Sequence, residues 1–319
     1  PGYFRASFSV SDHGELVYAT GTRESKAPLV WYDRAGKPIG GPVGEAAEYV
    51  DLAISRDGKR VAAAISDPTT GVPDIWLLDF QRGTRTRFTF ASSVRPIWSP
   101  DGSRIVYASA GKPSAAGFSS VISVKPTGGE GKPEVVFNGE GQFTPTSWSE
   151  DSRFIALEVI RPKSPTKTDV WILPLFGDRK PYPFLETEFS EEGASFSPDG
   201  RWISYLSDES GRGELYVTSF PTRAGKWQVS NKGALVGGWA RSGKEIVYVA
   251  ADQNLMSVEV RADESGFDSG VPKVLFKSPR ILTGVAAPLA DRFLLAPREE
   301  GSQGSSISLV SNWPALLRK

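Results

Sequence analysis

Apolar and polar residues alternate along most of this chain in short runs, and similar runs return at a regular spacing. Two of the clearest are IWSPDGSRIVY from Ile97 and SFSPDGRWISY from Ser195. Alternation with a period of two, rich in β-branched and aromatic residues, predicts β-strands. We find no stretch that predicts an amphipathic helix of three or more turns.

Three phrases repeat in a fixed order along the chain. The first contains the SPDG-like stretch and recurs about every 43 to 50 residues. The second includes PDIWLLDF from Pro73 and TDVWILPL from Thr168, and a weaker third phrase, such as RTRFTF at 85–90, closes most units. Each unit therefore predicts four short strands joined by turns.

Four strands per unit at this period are typical of a β-propeller blade, whose two faces are buried only when neighbouring blades cover them. We predict an all-β fold, a single β-propeller domain over residues 1–319 with four-stranded antiparallel blades. Seven blades are expected, at residues 6–45, 46–90, 91–137, 138–185, 186–230, 231–276 and 277–313. The seventh would contain strands at 292–296 and 307–311, with residues 2–5 closing the ring. The alternative is six blades plus a closing hairpin.

The SPDG stretch predicts a turn. Proline presets φ at the first central position, aspartate suits the second, and glycine adopts the left-handed conformation that follows. Side chains vary between the copies, and Ser152 replaces the glycine in one of them. We therefore interpret SPDG as a structural hairpin between the first two strands of a blade, and expect function on the opposite face.

The repeat of W/F-S-P-D-G followed by D-I-W-L-L-D resembles the TolB-like propeller repeat, a relative of the tryptophan–aspartate repeat, over the whole chain. Phrases such as PIWSPDGSRIVY and ASFSPDGRWISYLSDESGRGELYV look most like the propeller found C-terminal to bacterial serine/threonine receptor-type kinases. The resemblance implies an interaction or sensor module, often extracytoplasmic or periplasmic, and tethering to a kinase domain and a transmembrane segment. A cytoplasmic location stays open.

Composition excludes some classes of function. Lysine plus arginine and aspartate plus glutamate both total 37, so the chain lacks the basic excess of a nucleic-acid-binding domain. There is no cysteine, which rules out disulfides and thiol catalysis. No apolar run is long enough to span a bilayer, so we expect no membrane insertion by this chain. Because the sequence begins at Pro1, we expect it to be a fragment of a longer protein.

Catalytic motifs are missing from the sequence. There is no zinc-ligand cluster, no nucleotide-binding motif, and no G-x-S-x-G elbow. The one histidine, His13, falls on a predicted turn and is interpreted as an exposed turn residue. We expect no cofactor and no enzyme activity.

Loops opposite the SPDG hairpins hold the candidate binding residues. The acidic candidates come from a connection between blades and from a loop between second and third strands: Glu186, Glu188, Glu191, Glu192, Asp208 and Glu209. The basic candidates are Arg95, Lys163 and Lys167. Calcium or another cation in the channel is one interpretation of the acids, and an anionic ligand would suit the bases.

Two classes of function remain open at this level. The first is a non-catalytic module that binds a protein, a peptide or a small ligand on the channel face opposite the SPDG hairpins. The second is an enzyme, a glycosidase or lyase that uses acids at the channel mouth, or the gating propeller of a larger hydrolase. Two carboxylates about 5–10 Å apart in a cleft would favour the enzyme.

Overall fold

A computed structural model describes most of the chain, and every structural statement below concerns that part. The described residues are 8–10, 15–20, 26–112, 118–129, 131–161, 164–263, 266–277, 292–297 and 306–311. The predicted closing segment 2–5, the histidine His13 and the candidate Lys163 lie outside them. The described residues contain β-strands and turns and no helix, so they include no helix that could cross a membrane.

Strands follow one another through the described chain with short connections. The first twelve are β1 (Phe8–Val10), β2 (Glu15–Thr20), β3 (Ala27–Asp33), β4 (Pro38–Ala47), β5 (Tyr49–Ile54), β6 (Arg60–Ser66), β7 (Pro73–Asp79), β8 (Thr84–Arg87), β9 (Ser93–Trp98), β10 (Arg104–Ala110), β11 (Ser119–Pro126) and β12 (Glu134–Glu140). The next eight are β13 (Gln142–Trp148), β14 (Phe154–Arg161), β15 (Ser164–Pro174), β16 (Tyr182–Leu185), β17 (Glu191–Phe196), β18 (Trp202–Ser207), β19 (Glu214–Ser219) and β20 (Lys226–Gln228). The last seven are β21 (Ala234–Trp239), β22 (Glu245–Ala250), β23 (Asn254–Asp263), β24 (Gly266–Ser269), β25 (Lys273–Lys277), β26 (Arg292–Leu295) and β27 (Ser306–Ser311).

The strands form a propeller of six antiparallel blades. Blades II to V are four-stranded meanders, made of β5–β8, β9–β12, β13–β16 and β17–β20. Blade VI contains β21, β22, β23 and β25, and a short β24 pairs with the far half of the long β23. Blade I combines the two ends of the chain, because β26 pairs with β3 and β3 pairs with β4.

The prediction of seven blades is wrong. The predicted first unit is divided: β3 pairs with β26, while β1 and β2 form a separate three-stranded sheet with β27. The predicted seventh unit is divided in the same way, because β26 and β27 belong to different sheets. The two end units therefore contribute to a single blade, and the ring has six.

Apolar contacts on both sides of blade I close the ring. Leu29 and Trp31 of β3 pack in one buried cluster with Ile54 of blade II. On the other side, Phe293 of β26 is fully buried with Phe276 of blade VI. Gly36, in the turn between β3 and β4, has φ +78°, and a Cβ there would lie 2.6 Å from Cγ of Phe276, so the close approach of these blades requires glycine.

The SPDG stretches form the turns that the sequence predicts. The amide of Gly102 donates to the carbonyl of Ser99 at 2.8 Å, and Gly102 has φ +69°. The Ser99 hydroxyl donates to Asp101 and accepts from the amide of Arg104 at 2.9 Å. The hydrogen bond from Ser99, and after it the bonds from Ser103, lower the pKa of Asp101 to about 2. Asp101 therefore accepts the hydrogen bonds of the turn as an ionised carboxylate.

The meander of each blade defines two faces of the ring. We call the face with the turns between first and second strands the turn face, and the opposite face the loop face. The connections between blades and the loops between second and third strands lie on the loop face, because successive strands in a meander are antiparallel. All the acidic candidates named above come from loop-face segments or from the first residues of β17.

Candidate binding site at the channel mouth

First strands of neighbouring blades, with parts of β22 and β23 of blade VI, line a central channel with a volume of about 370 Å³. Its middle part is lined by small or apolar residues: Ala53, Ile97, Ser147, Ser195, Gly237 and Gly238. Asp51 and Arg95 lie at the loop-face end, because both precede the middle of their strands. The channel is comparable in size to pockets that hold small ligands.

Arg95 reaches this mouth through a bulge in β9. Val94 pairs with Ala108 and Ile97 with Val106, so two residues of β9 oppose one residue of β10. Arg95 adopts φ +54° in the bulge. Its amide donates to Oδ2 of Asp51 at 3.1 Å, and its Nε lies 3.5 Å from Oδ1 of the same carboxylate. Arg95 thus links blades II and III, and its charge already has a partner.

Glu191 begins β17 and is buried at the junction of blades IV and V. One carboxylate oxygen accepts from the hydroxyl of Thr187, and the other has no hydrogen-bond partner among the described residues. Burial raises the pKa of Glu191, and the carboxylates of Asp169 and Asp208 raise it further, although the bonds from Thr187 oppose the shift.

Glu192, the next residue, points to the other side of the strand and is open to solvent. It makes no hydrogen bond or ion pair with any residue that the structure describes. The surrounding protein partly desolvates its carboxylate and raises its pKa, and Glu158 raises that pKa further. Arg95 acts in the opposite direction, and Asp208 contributes a smaller repulsion.

A loop-face depression of about 360 Å³ contains Glu192, and it lies between blades V and VI. Asp208 and Leu235 also line it, and the side chain of Leu235 is 52 % exposed. Asp208 accepts from the amide of Ser190 at 2.9 Å, which fixes the loop next to β17. The depression adjoins the channel, because Gly193, next to Glu192, lines the channel. We call this combination of depression and channel end the acidic mouth.

Three other candidates, Glu186, Glu209 and Lys167, are held by a partner of opposite charge or by a backbone group. Arg161 bridges Glu186 at 2.8 Å, and Lys226 bridges Glu209 at 2.7 Å. Lys167 donates to the carbonyl of Glu188, so the side-chain ammonium meets a main-chain oxygen there. The structure thus brings Glu191, Glu192 and Asp208 together with Arg95 nearby, and it places Glu186, Glu209 and Lys167 in local contacts around them. Glu188 takes part only through its main-chain carbonyl, and Lys163 lies outside the described residues.

Three residues of this region were missed from the sequence. Glu158 of β14 faces Gly193, whose amide lies 3.4 Å from its Oε2. Its signal was a lone charge inside the apolar run FIALEVI. Asp51 had no such signal. Asp169 occupies the same repeat position as Asp74 and Glu214, near the start of the buried part of the third strand. An acid at this position in three repeats, here called a periodic acid, was visible in the sequence.

The periodic acids have structural partners. Asp74 accepts from the Thr89 hydroxyl at 3.0 Å, and Glu214 accepts from the amide of Gly233 at 2.9 Å. Asp169 pairs with Arg161 at 2.9 Å, and burial raises the pKa of Asp169 despite that partner. In the part of the chain that the structure describes, no group of three or more acidic or histidine side chains is arranged to hold a metal ion.

Solved structures share this architecture. A TolB-type protein from Agrobacterium tumefaciens matches with a TM-score of 0.63 at 17 % identity, covering 85 % of this chain and 97 % of its own. TolB from Acinetobacter baumannii matches with a TM-score of 0.58 at 16 % identity, covering 96 % and 76 %. An oligogalacturonate lyase in complex with manganese matches with a TM-score of 0.56 at 10 % identity, covering 97 % and 82 %.

The chain therefore has the TolB-like β-propeller fold, as the repeat phrases predict. Identities this low show the fold alone, and the similar structures include both TolB proteins and an enzyme. No family model matches the sequence, and no curated protein matches it either.

Proposed function

We propose that this protein is a non-catalytic binding module, and that its acidic mouth holds a cationic group of a protein or peptide partner. The observation that carries the proposal is Glu192, an acid without a partner among the described residues, next to Glu158 and Asp208. Repulsion between these carboxylates is relieved when a positive charge lies between them. A bound lysine or arginine side chain would supply that charge.

The surroundings of Glu192 support a side chain rather than a bare ion. Leu235 exposes apolar surface in the same depression, and the aliphatic stem of a lysine or arginine packs on such surface while its head meets the acids. A metal ion would need several ligands converging on one point, and the described residues show no such group.

Partner capture from the source cells tests this proposal. The immobilised propeller is compared with the double variant Glu192→Gln/Asp208→Asn, and with Glu259→Gln as a control on the outer part of blade VI, where Glu259 bridges Lys273. We expect a partner that the wild type and the control retain and that the double variant loses. Acetylation of lysines on that partner, or replacement of its arginines by uncharged residues, should weaken binding about tenfold.

The pH dependence of the same binding supplies a second check. A cation binds the ionised form of Glu192, and the pKa of Glu192 lies above its usual value. Binding should therefore weaken as the pH falls, beginning at a higher pH than an ordinary glutamate would give. An unchanged set of partners in the double variant would place binding elsewhere and refute the proposal.

Glu192 and Glu158 also support a second candidate, a glycosidase or lyase. A carboxyl with a raised pKa beside a second carboxylate is the arrangement of a general acid and its partner. Incubation with oligogalacturonate, followed by product analysis, tests this directly. Cleavage that disappears in Glu192→Gln would favour the enzyme, and intact substrate with retained partner binding would favour the binding module.

The resemblance to kinase-linked propellers supports a proposal about context. We propose that the module is extracytoplasmic and acts as a sensor joined to a kinase domain through a transmembrane segment. A reporter enzyme that is active only outside the cytoplasm, fused to the propeller in the full-length gene, tests the compartment. Inactive reporter with normal protein levels would contradict it.

A further inference from the structure

The turn-face end of the channel holds a second group of charges, separate from the acidic mouth. Arg56, Glu150 and Arg241 each follow the first strand of a blade, and they come from blades II, IV and VI. All three line the channel. Because these blades alternate around the ring, their side chains meet across the channel axis.

Of the three charged side chains that line this end of the channel, two are positive and one is negative. Arg56 Nη1 bridges Glu150 Oε2 at 2.6 Å, which uses the one carboxylate of the three. Arg241 donates from Nη2 to the carbonyl of Ser55 at 2.8 Å and forms no salt bridge with any described acid. Asp57, nearby on the turn, accepts from the Ser55 hydroxyl and the amide of Lys59.

Arg241 is therefore a half-buried guanidinium whose charge is not matched by a contacting carboxylate. Burial lowers its pKa and the like charge of Arg56 lowers it further, while the carboxylates of Asp57 and Glu150 oppose the shift without contacting the guanidinium. A guanidinium stays ionised under ordinary conditions, so the position favours an anion beside it.

The channel has room for that anion and for the molecule that carries it. The cavity of about 370 Å³ opens onto this end, and its middle section is lined by small residues such as Ala53, Ser147 and Gly238. Planar guanidinium groups bind carboxylate and phosphate oxygens through paired, charge-assisted hydrogen bonds. A competing explanation is that the three charges only tie blades II, IV and VI together.

We infer that Arg241, with Arg56 beside it, forms an anion-binding site at the turn-face end of the channel for the carboxylate or phosphate group of a small organic anion. When such an anion binds, it contacts Arg241 and shares Arg56 with Glu150. The site uses none of the acids proposed to hold a cationic partner, so either proposal can fail alone.

Titration of the purified propeller with succinate and, separately, with inorganic phosphate tests the site. Calorimetry at low, fixed ionic strength gives the affinity. Trp98, Trp148 and Trp239 line the same channel, so their fluorescence gives an independent signal. Dimethyl succinate serves as the uncharged control. We expect one or both anions to bind and the diester not to bind, and the two arms show which anion chemistry the site prefers.

Two variants are expected to change affinity in opposite directions. Arg241→Gln should weaken anion binding by about tenfold or more, the size expected for losing a charge-assisted hydrogen bond. Glu150→Gln should strengthen it, because the competing carboxylate is lost and Arg56 is released. Arg261→Gln is the control, since that side chain is 72 % exposed and is not among the described residues that line the channel.

The opposite signs separate a binding site from a structural tie. If the three charges only join the blades, both Arg241→Gln and Glu150→Gln lower the melting temperature and neither anion binds the wild type. That result would overturn the inference, as would equal anion affinity in the wild type and Arg241→Gln. Should Arg241→Gln fail to fold, the tighter binding predicted for Glu150→Gln still decides the question.

Discussion

Buried acids in this propeller differ sharply in how well they are satisfied. Asp74 and Glu214 each accept hydrogen bonds from their own blade or its connection, whereas Glu191 leaves one buried oxygen without a partner in the described chain. Asp169 and Asp208 add like charge around it. An unpaired buried carboxylate oxygen costs stability whenever the group is ionised. The ionised side chain of Glu191 therefore lowers the free energy of unfolding.

At the residue scale we predict that Glu191→Gln stabilises the protein at neutral pH by about 1 kcal/mol, the lower part of the cost of an unsatisfied buried group. The amide keeps an acceptor for Thr187 and offers donors to the neighbouring carboxylates. Because the folded-state pKa of Glu191 is raised, the wild type loses stability as the pH rises from the usual glutamate pKa, 4.5, through the higher folded value.

Urea unfolding at several pH values measures this effect. The gain from Glu191→Gln should be largest at neutral pH and should vanish below the usual glutamate pKa, where both states are protonated. Glu259→Gln, at an exposed salt bridge, provides the baseline. A variant that is destabilised at neutral pH would mean that the ionised carboxylate is needed at this position.

The repeat makes the same element in successive blades, but it does not give each copy the same bonds. Trp98, at the end of β9, donates from Nε1 to the carbonyl of Ala53 in the neighbouring blade at 2.9 Å. The indole nitrogen of Trp148, at the same position of β13, is buried without an acceptor among the described residues. Phe196 occupies this position in β17, so the blade accommodates a ring without a donor.

At the element scale we predict that Trp98→Phe destabilises the protein more than Trp148→Phe, by about 1 kcal/mol. Both changes leave a similar cavity. Trp98→Phe also leaves the Ala53 carbonyl without its donor, whereas Trp148→Phe removes a donor that has no acceptor. Chemical denaturation of the two variants in parallel measures the difference, and equal losses would show that the indole bond contributes nothing net.

Local features of the sequence predicted the elements well, because alternation and turn chemistry are properties of neighbouring residues. SPDG turns such as Ser99–Gly102 form as their residues require. The number of blades was not predictable in this way. Whether β3 pairs with β2 or with β26 depends on residues far apart in the chain, and the phrase PLVWYDR is equally suited to either partner.

The candidate site shows the same limit. Acids in the loop-face connection, such as Glu191 and Glu192, could be located from the repeat, because loops occupy fixed places in it. Their environment could not, since Glu158 lies in the interior of a strand in the preceding blade and Asp51 pairs with Arg95 across a blade boundary. Contacts between blades follow from the assembled ring and not from any one repeat.

The whole molecule is held closed by blade I, which joins distant parts of the chain. Phe293 of β26 is fully buried against blade VI, where it contacts Phe276 with ring centroids 5.8 Å apart. Arg34, just after β3, adds a bridge to Glu245 of blade VI, with Nη1 3.1 Å from Oε2. Both contacts span the junction where the ring would open.

At this scale we predict that Phe293→Ala costs about 3–5 kcal/mol, as expected for a buried phenylalanine that leaves a cavity. The damage should concentrate at the junction of blades I and VI. Hydrogen exchange should therefore rise in β3, β25 and β26 before it rises in β9 to β16. Val274→Ala, whose parent side chain is 58 % exposed, is the control on blade VI. Uniform loss of protection would argue that the ring unfolds as one unit.

Closure through blade I has a consequence for how the protein is made. Strand β3 begins at Ala27, but its partner β26 begins only at Arg292, so nearly the whole chain is translated between them. At ordinary synthesis rates the interval is on the order of tens of seconds. During that time Leu29 and Trp31, buried in the finished ring, have no β26 beside them. Until β26 has been synthesised, β3 of the nascent chain is therefore an unpaired edge strand with exposed apolar side chains. Such an edge is accessible to the ribosome surface and to chaperones.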